Sequence, residues 1–139
     1  MLVYKELVPP ESLVKVPFIK YQTDASVANI IETWCAEHFD EPPSVAMDVN
    51  SMSTCRHFVR AGLGWSILTY MGLGSCKDKD IYVSPLRSKD GEYITRDTNM
   101  VYTKDAENLV VVKTFIEYVR NYYKEHTVVD DSIFREYKA

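Results

Sequence analysis

The stretch from Ser44 to Met71, SVAMDVNSMSTCRHFVRAGLGWSILTYM, decides how the rest of the chain is read. It opens in alternation, with Val45, Met47 and Val49 set against Ala46, Asp48 and Asn50, the pattern of a strand with one buried face. A hydroxyl-rich turn follows, then a short helical pattern closed by Gly62, then a second apolar strand from Trp65 to Leu68. Two adjoining strands joined by one helix run parallel. Ser51 and Ser53 stand where the first free amides of that helix need acceptors, and Gly62 suits the left-handed residue that ends it. Cys55, Phe58 and Val59 recur at one-face spacing, which lays the helix against the sheet.

Outward from this unit toward the N-terminus, Val16 to Tyr21 reads as a strand and Ala25 to Phe39 as a helix with Val27, Ile30, Ile31, Trp34 and His38 on one face. Between them the turn Gln22-Thr23-Asp24-Ala25-Ser26 offers three helix caps, Thr23, Asp24 and Ser26. Glu41-Pro42-Pro43 stops the helix. Residues 1–16 hold one short apolar group, Leu2-Val3-Tyr4, and the pair Pro9-Pro10, and are expected to be a linker or edge segment. Toward the C-terminus, Thr69 to Gly74 suggests a single helical turn and Ile81 to Leu86 a fourth strand. Lys89-Asp90-Gly91 marks a tight turn. Tyr93 to Thr103 reads as extended with a bend at Asp97-Thr98-Asn99. A last helix is expected from Ala106 to Tyr123, capped by Asp105, with Val112, Phe115, Ile116, Val119 and Tyr123 on its face. Residues 17–124 thus form one α/β domain, a three-layer sheet with helices on both faces, and 125–139 a polar tail carrying Ile133 and Phe134.

Composition narrows the function. With 139 residues the chain fits one domain with one core. Its net charge of -4 and scattered lysines and arginines argue against gripping nucleic acid by itself. The three cysteines, Cys35, Cys55 and Cys76, form no CxxC pair, so free thiols in a reducing cytoplasm are expected and a metal site is not. No leader pattern opens the chain and no apolar run is long enough for a membrane span. His38, His57 and His126 are far apart, and none lies in a nucleophile motif. Gly62-Leu63-Gly64 follows a helix and precedes a strand, the reverse of a dinucleotide fingerprint. Arg56 and Arg60 share a helix face, which reads first as solvated. No catalytic residue and no cofactor is expected.

The string Phe58-Val59-Arg60-Ala61-Gly62-Leu63-Gly64-Trp65-Ser66-Ile67-Leu68 resembles the V-x-x-G-x-G-I/V-x-x-L/P segment in the effector-binding domain of LysR-type transcriptional regulators. Pro17-Phe18-Ile19 with its Ser/Thr turn is similar to the family's entry into its second subdomain. Val83-Ser84-Pro85-Leu86 resembles a later edge, and the helix from Ala106 the family's closing helix. The resemblance covers residues 8–124 and implies the second subdomain of a periplasmic-binding-protein-like, type II fold. It further implies that the family's winged helix-turn-helix and the first half of its effector domain are absent, so the chain is either a fragment or a stand-alone product. DNA would be a partner only through the missing domain. A homo-oligomer is expected, and location in the cytoplasm.

In parallel α/β sheets the loops at the carboxyl ends of strands gather on one side, together with helix N-termini. Gln22 to Ser26 and Asn50 to Thr54 are two such loops. Their hydroxyls and helix amides suit a small carboxylate, sulfate or phosphate without requiring a lysine. The resemblance implies the same place for the effector. Thr23, Asp24, Ser26, Ser51, Ser53 and Thr54 are therefore the expected effector-binding residues, and capping is their competing role. Asp24 departs from the pattern, because a carboxylate there repels an anion. It either caps the helix or turns preference toward an amine or neutral ligand. A stand-alone solute-binding module of the same fold and a small α/β enzyme drawing on Asp24, Thr54 and His57 are the rival readings.

Overall fold

A computed structural model describes residues 1–5, 9–73, 81–126, 132 and 134. They fall into two units, 1–94 with 132–139, and 95–131. In the first unit, strand β2 (Phe18–Tyr21), helix α1 (Ala25–His38) and strand β3 (Val45–Val49) form a crossover, and β2 pairs parallel with β3. Helix α2 (Met52–Arg60) follows, then the two-residue strand β4 (Ser66–Ile67) and the single turn α3 (Tyr70–Leu73). Strand β1 (Leu2–Tyr4) lies between β4 and β5 (Tyr82–Ser84) and is antiparallel to both.

The parallel pair and the three-stranded sheet meet at Trp65. Its N–H donates to Pro17 O at 3.0 Å, its carbonyl accepts from Ile19 N at 2.8 Å, and Phe18 and Trp65 form a parallel bridge. Residues then alternate between two buried clusters as the two-residue period of strands requires. Leu2, Tyr4, Phe18, Trp65 and Ile67 join Leu13 and the α1 residues Trp34 and Cys35 in one cluster. Val3, Ile19, Leu68 and Val83 join Cys55 and Val59 of α2 and Leu73 of α3 in the other. Helices therefore cover opposite faces of the strands, α1 on one side and α2 with α3 on the other.

The strand order departs from the expected one. β3 and β4 are not neighbours; each lies beside β2, on opposite sides. The chain moves one way through α1 and back through α2. Right-handed crossovers moving in opposite directions lie on opposite faces of a sheet, as these two helices do. The described residues of the N-terminal segment, 1–5 and 9–16, also differ from a linker or edge. Leu2, Val3 and Tyr4 are all buried, and Pro10–Lys15 forms a 3-10 turn with proline at its start and Leu13 1% exposed. A three-residue strand flanked on both sides and covered on both faces shows a continuous apolar run, with no alternation to reveal it.

Local signals fared better. Asp24 and Ser51 are the N-cap residues of α1 and α2, Gly62 has φ +78° just past α2, and Cys55 and Val59 face the core. Ser26 and Ser53 lie inside the first turns of their helices and do not cap them. Gly64 is required by space, since a Cβ there would lie 2.3 Å from Pro17 O. Ser88 to Glu92 forms the tight turn, with Ser88 N donating to Glu92 O at 2.8 Å and Gly91 at φ +86°. Phe134 packs against the α2 cluster. Gly74, Cys76 and Ile133 lie outside the described residues.

In the second unit, residues 95–103 take no regular strand. Lys104–Asn108 is a 3-10 turn and helix α4 spans Val110–Glu125, four residues later than expected at its start. Its N-cap is Leu109, with no side-chain cap, so Asp105 does not serve. The short turn absorbs Asp105, and extended Leu109 separates it from α4. Ile116 is buried and Val112 and Val119 half-buried, whereas Phe115 and Tyr123 are exposed. Arg120 Nη2 donates to Tyr102 Oη at 2.5 Å. Among the described residues no helix is long and apolar enough to cross a membrane.

Two substitutions test this packing by urea denaturation. Gly64→Ala should lose about 1–3 kcal/mol, because the added methyl forces the Pro17–Trp65 contact apart; an unchanged midpoint would contradict the close approach. Leu13→Ala should lose about 2–4 kcal/mol. A loss under about 0.5 kcal/mol, ordinary for a surface position, would return residues 1–16 to the status of a linker.

Candidate ligand site at the carboxyl ends of the parallel strands

β2 and β3 are adjacent and run the same way, so the turns that leave them lie at one end of the pair. Gln22 N donates to Val49 O at 2.8 Å and ties the two strand ends together. From there the chain turns to one face to enter α1 and to the other to enter α2. In open α/β sheets, ligands bind outside the carboxyl ends of the strands, where connections leave toward opposite faces. Thr23, Asp24 and Ser26 sit in the first turn and Ser51, Ser53 and Thr54 in the second.

The two helix starts differ chemically. Asp24 Oδ1 accepts from Ser26 N at 3.0 Å and from Val27 N at 3.1 Å. The side chain thus occupies the place that an anion at α1 would take, which removes this helix start as an anion seat. Capping is what Asp24 does here. At α2 the cap is looser, with Ser51 Oγ accepting from Thr54 N at 3.4 Å, beyond the usual range for such a bond. Ser53 and Thr54 are exposed and Ser51 half-buried. Of the two turns, the α2 start is the one whose positive end a ligand acceptor can reach without displacing a carboxylate.

Sequence reading missed a groove of about 690 Å³ between α1 and the β2–β3 pair, lined by Phe18, Tyr21, Ile31, Phe39 and Val45 among others. Of the six expected residues, Thr23 lines it. Pro42 and Pro43 also line it, and Val45 is left 51% exposed.

The buried thiols are poor nucleophiles. Burial, and secondarily the Glu32 carboxylate, pushes the Cys35 thiol up to about 11. Burial also raises Cys55, partly opposed by its hydrogen bond to Ser66 Oγ at 3.0 Å; that hydroxyl in turn donates to Ile19 O at 2.8 Å. His38 stacks on Trp34 with ring centroids 4.4 Å apart, and its Nδ1 lies 2.9 Å from Trp34 O. Arg56 donates to Leu73 O and so joins α2 to α3 rather than standing in solvent. No cluster of metal-ligating side chains occurs among the described residues.

Comparison with known proteins agrees with the resemblance carried by Phe58 to Leu68. The sequence matches the LysR substrate binding domain over residues 2–124. It is similar to two proteins of Bacillus subtilis (strain 168). It is 34% identical over 119 residues to the uncharacterized HTH-type transcriptional regulator YraN, covering 86% of this chain and 40% of that protein. It is 28% identical over 105 residues to the uncharacterized HTH-type transcriptional regulator YkuM, covering 76% and 35%. The chain belongs to the LysR substrate-binding domain family, which implies a periplasmic-binding-protein-like α/β fold. It spans 40% or less of the length of these relatives.

The unequal caps make a stability prediction: Asp24→Ala should cost about 1 kcal/mol, and Ser51→Ala less, near the low end of about 0.5 kcal/mol. Equal losses in urea melts would show that the α2 cap is as strong as the α1 cap. The Cys35 shift has a definite sign. A folded-state value above the unfolded one keeps its stabilisation intact below the unfolded value near 9 and loses it as pH rises toward about 11. Stability should therefore fall across that window, and Cys35→Ala should flatten the fall; an unaltered slope in the variant would assign the loss to other groups.

Proposed function

We propose that this chain is the effector-sensing second subdomain, a type II half-domain, of a LysR-type transcriptional regulator, and that it binds a small carboxylate or other small anion at the carboxyl ends of β2 and β3. The supporting observation is the strand order: two adjacent parallel strands whose connections leave to opposite faces. In this reading the start of α2 receives the anionic group, through its amides and the hydroxyls of Ser51, Ser53 and Thr54. Thr23, Asp24 and Ser26 form the other rim. Asp24 sets a limit there, because its carboxylate favours a neutral or amine-bearing part of the ligand on that side.

The family is regulatory, and a sensor needs binding without turnover. Regulation then follows from differential affinity: a ligand that favours one arrangement of the whole protein shifts its population, and with it subunit packing and DNA contact. DNA reading belongs to a segment outside this chain, of the kind named in its relatives, and the assembled protein is a homo-oligomer in the cytoplasm.

Calorimetric titration of the chain with a panel of small carboxylates, sulfate and amines tests the site. For any anion that binds, Ser53→Ala with Thr54→Val should weaken affinity about 10-fold or more, the loss of roughly 1.5–3 kcal/mol that a hydrogen bond to a charged group represents. Asp24→Asn should leave anion affinity equal or higher. Binding that ignores the Ser53 and Thr54 changes but falls with Asp24→Asn would move the ligand elsewhere and overturn the proposal.

A further inference from the structure

No further inference is drawn: the strongest candidate, the open groove between α1 and the β2–β3 pair, is an unpartnered, largely apolar surface, and nothing in the structure shows what covers it.

Discussion

Two backbone hydrogen bonds at Trp65, one to Pro17 O at 3.0 Å and one from Ile19 N at 2.8 Å, hold the parallel pair to the three-stranded sheet. The rest of the first unit depends on that join. The indole reinforces it, with Nε1 donating to Val16 O at 3.0 Å and the ring lying 4.6 Å from Phe18 and 5.9 Å from Phe39. The missing side chain of Gly64 lets Pro17 come this close, since a Cβ there would lie 2.3 Å from Pro17 O. β4 is only two residues long, so its place is set less by its own ladder than by this anchor and by the Met1–Leu68 exchange, Leu68 N to Met1 O at 3.0 Å. The α2 cluster adds a polar pin on the opposite face, where the buried Ser66 hydroxyl spans Cys55 and Ile19. A buried hydroxyl is tolerated when both its roles are filled.

Once β4 is held beside β2, the directions in which the chain leaves β2 and β3 follow from topology. β2 is flanked on both sides, and the chain must leave β2 and β3 toward opposite faces to reach β3 and β4 respectively. The turns that follow them therefore start at one end of the pair. Side chains then make the two helix starts unlike. Asp24 fills one helix start with its own negative charge, while the longer Ser51 bond leaves the other accessible. The proposed seat for an anionic group at α2 rests on this asymmetry.

Features governed by neighbours in sequence were legible. Asp24 and Ser51 announced helix starts because a cap is a contact over two or three residues, and Gly62 announced an end for the same reason. The family was legible in Phe58 to Leu68, a contiguous string. Strand order was not, since nothing local in Trp65 to Leu68 says which side of β2 they join. β1 was hidden because three residues are too few to show a period, and its neighbours lie more than sixty positions away, at Ser66 and Val83. The start of α4 was misplaced because Asp105 is a residue type that caps helices, whereas here it lies inside the 3-10 turn and caps neither element. The groove escaped notice because it is formed by a separation between elements and leaves no pattern in either.

Val45 and its neighbours leave β3 with one hydrogen-bonded flank among the described residues, the one facing β2. A bare strand margin invites stray chains to add on, and the residues here discourage it. Pro42 and Pro43 immediately ahead cannot donate to an intruding strand, and the exposed Asp48 would put a charge beside any newcomer. The same short sequence that halts α1 therefore also acts as a gatekeeper against fibril-like growth.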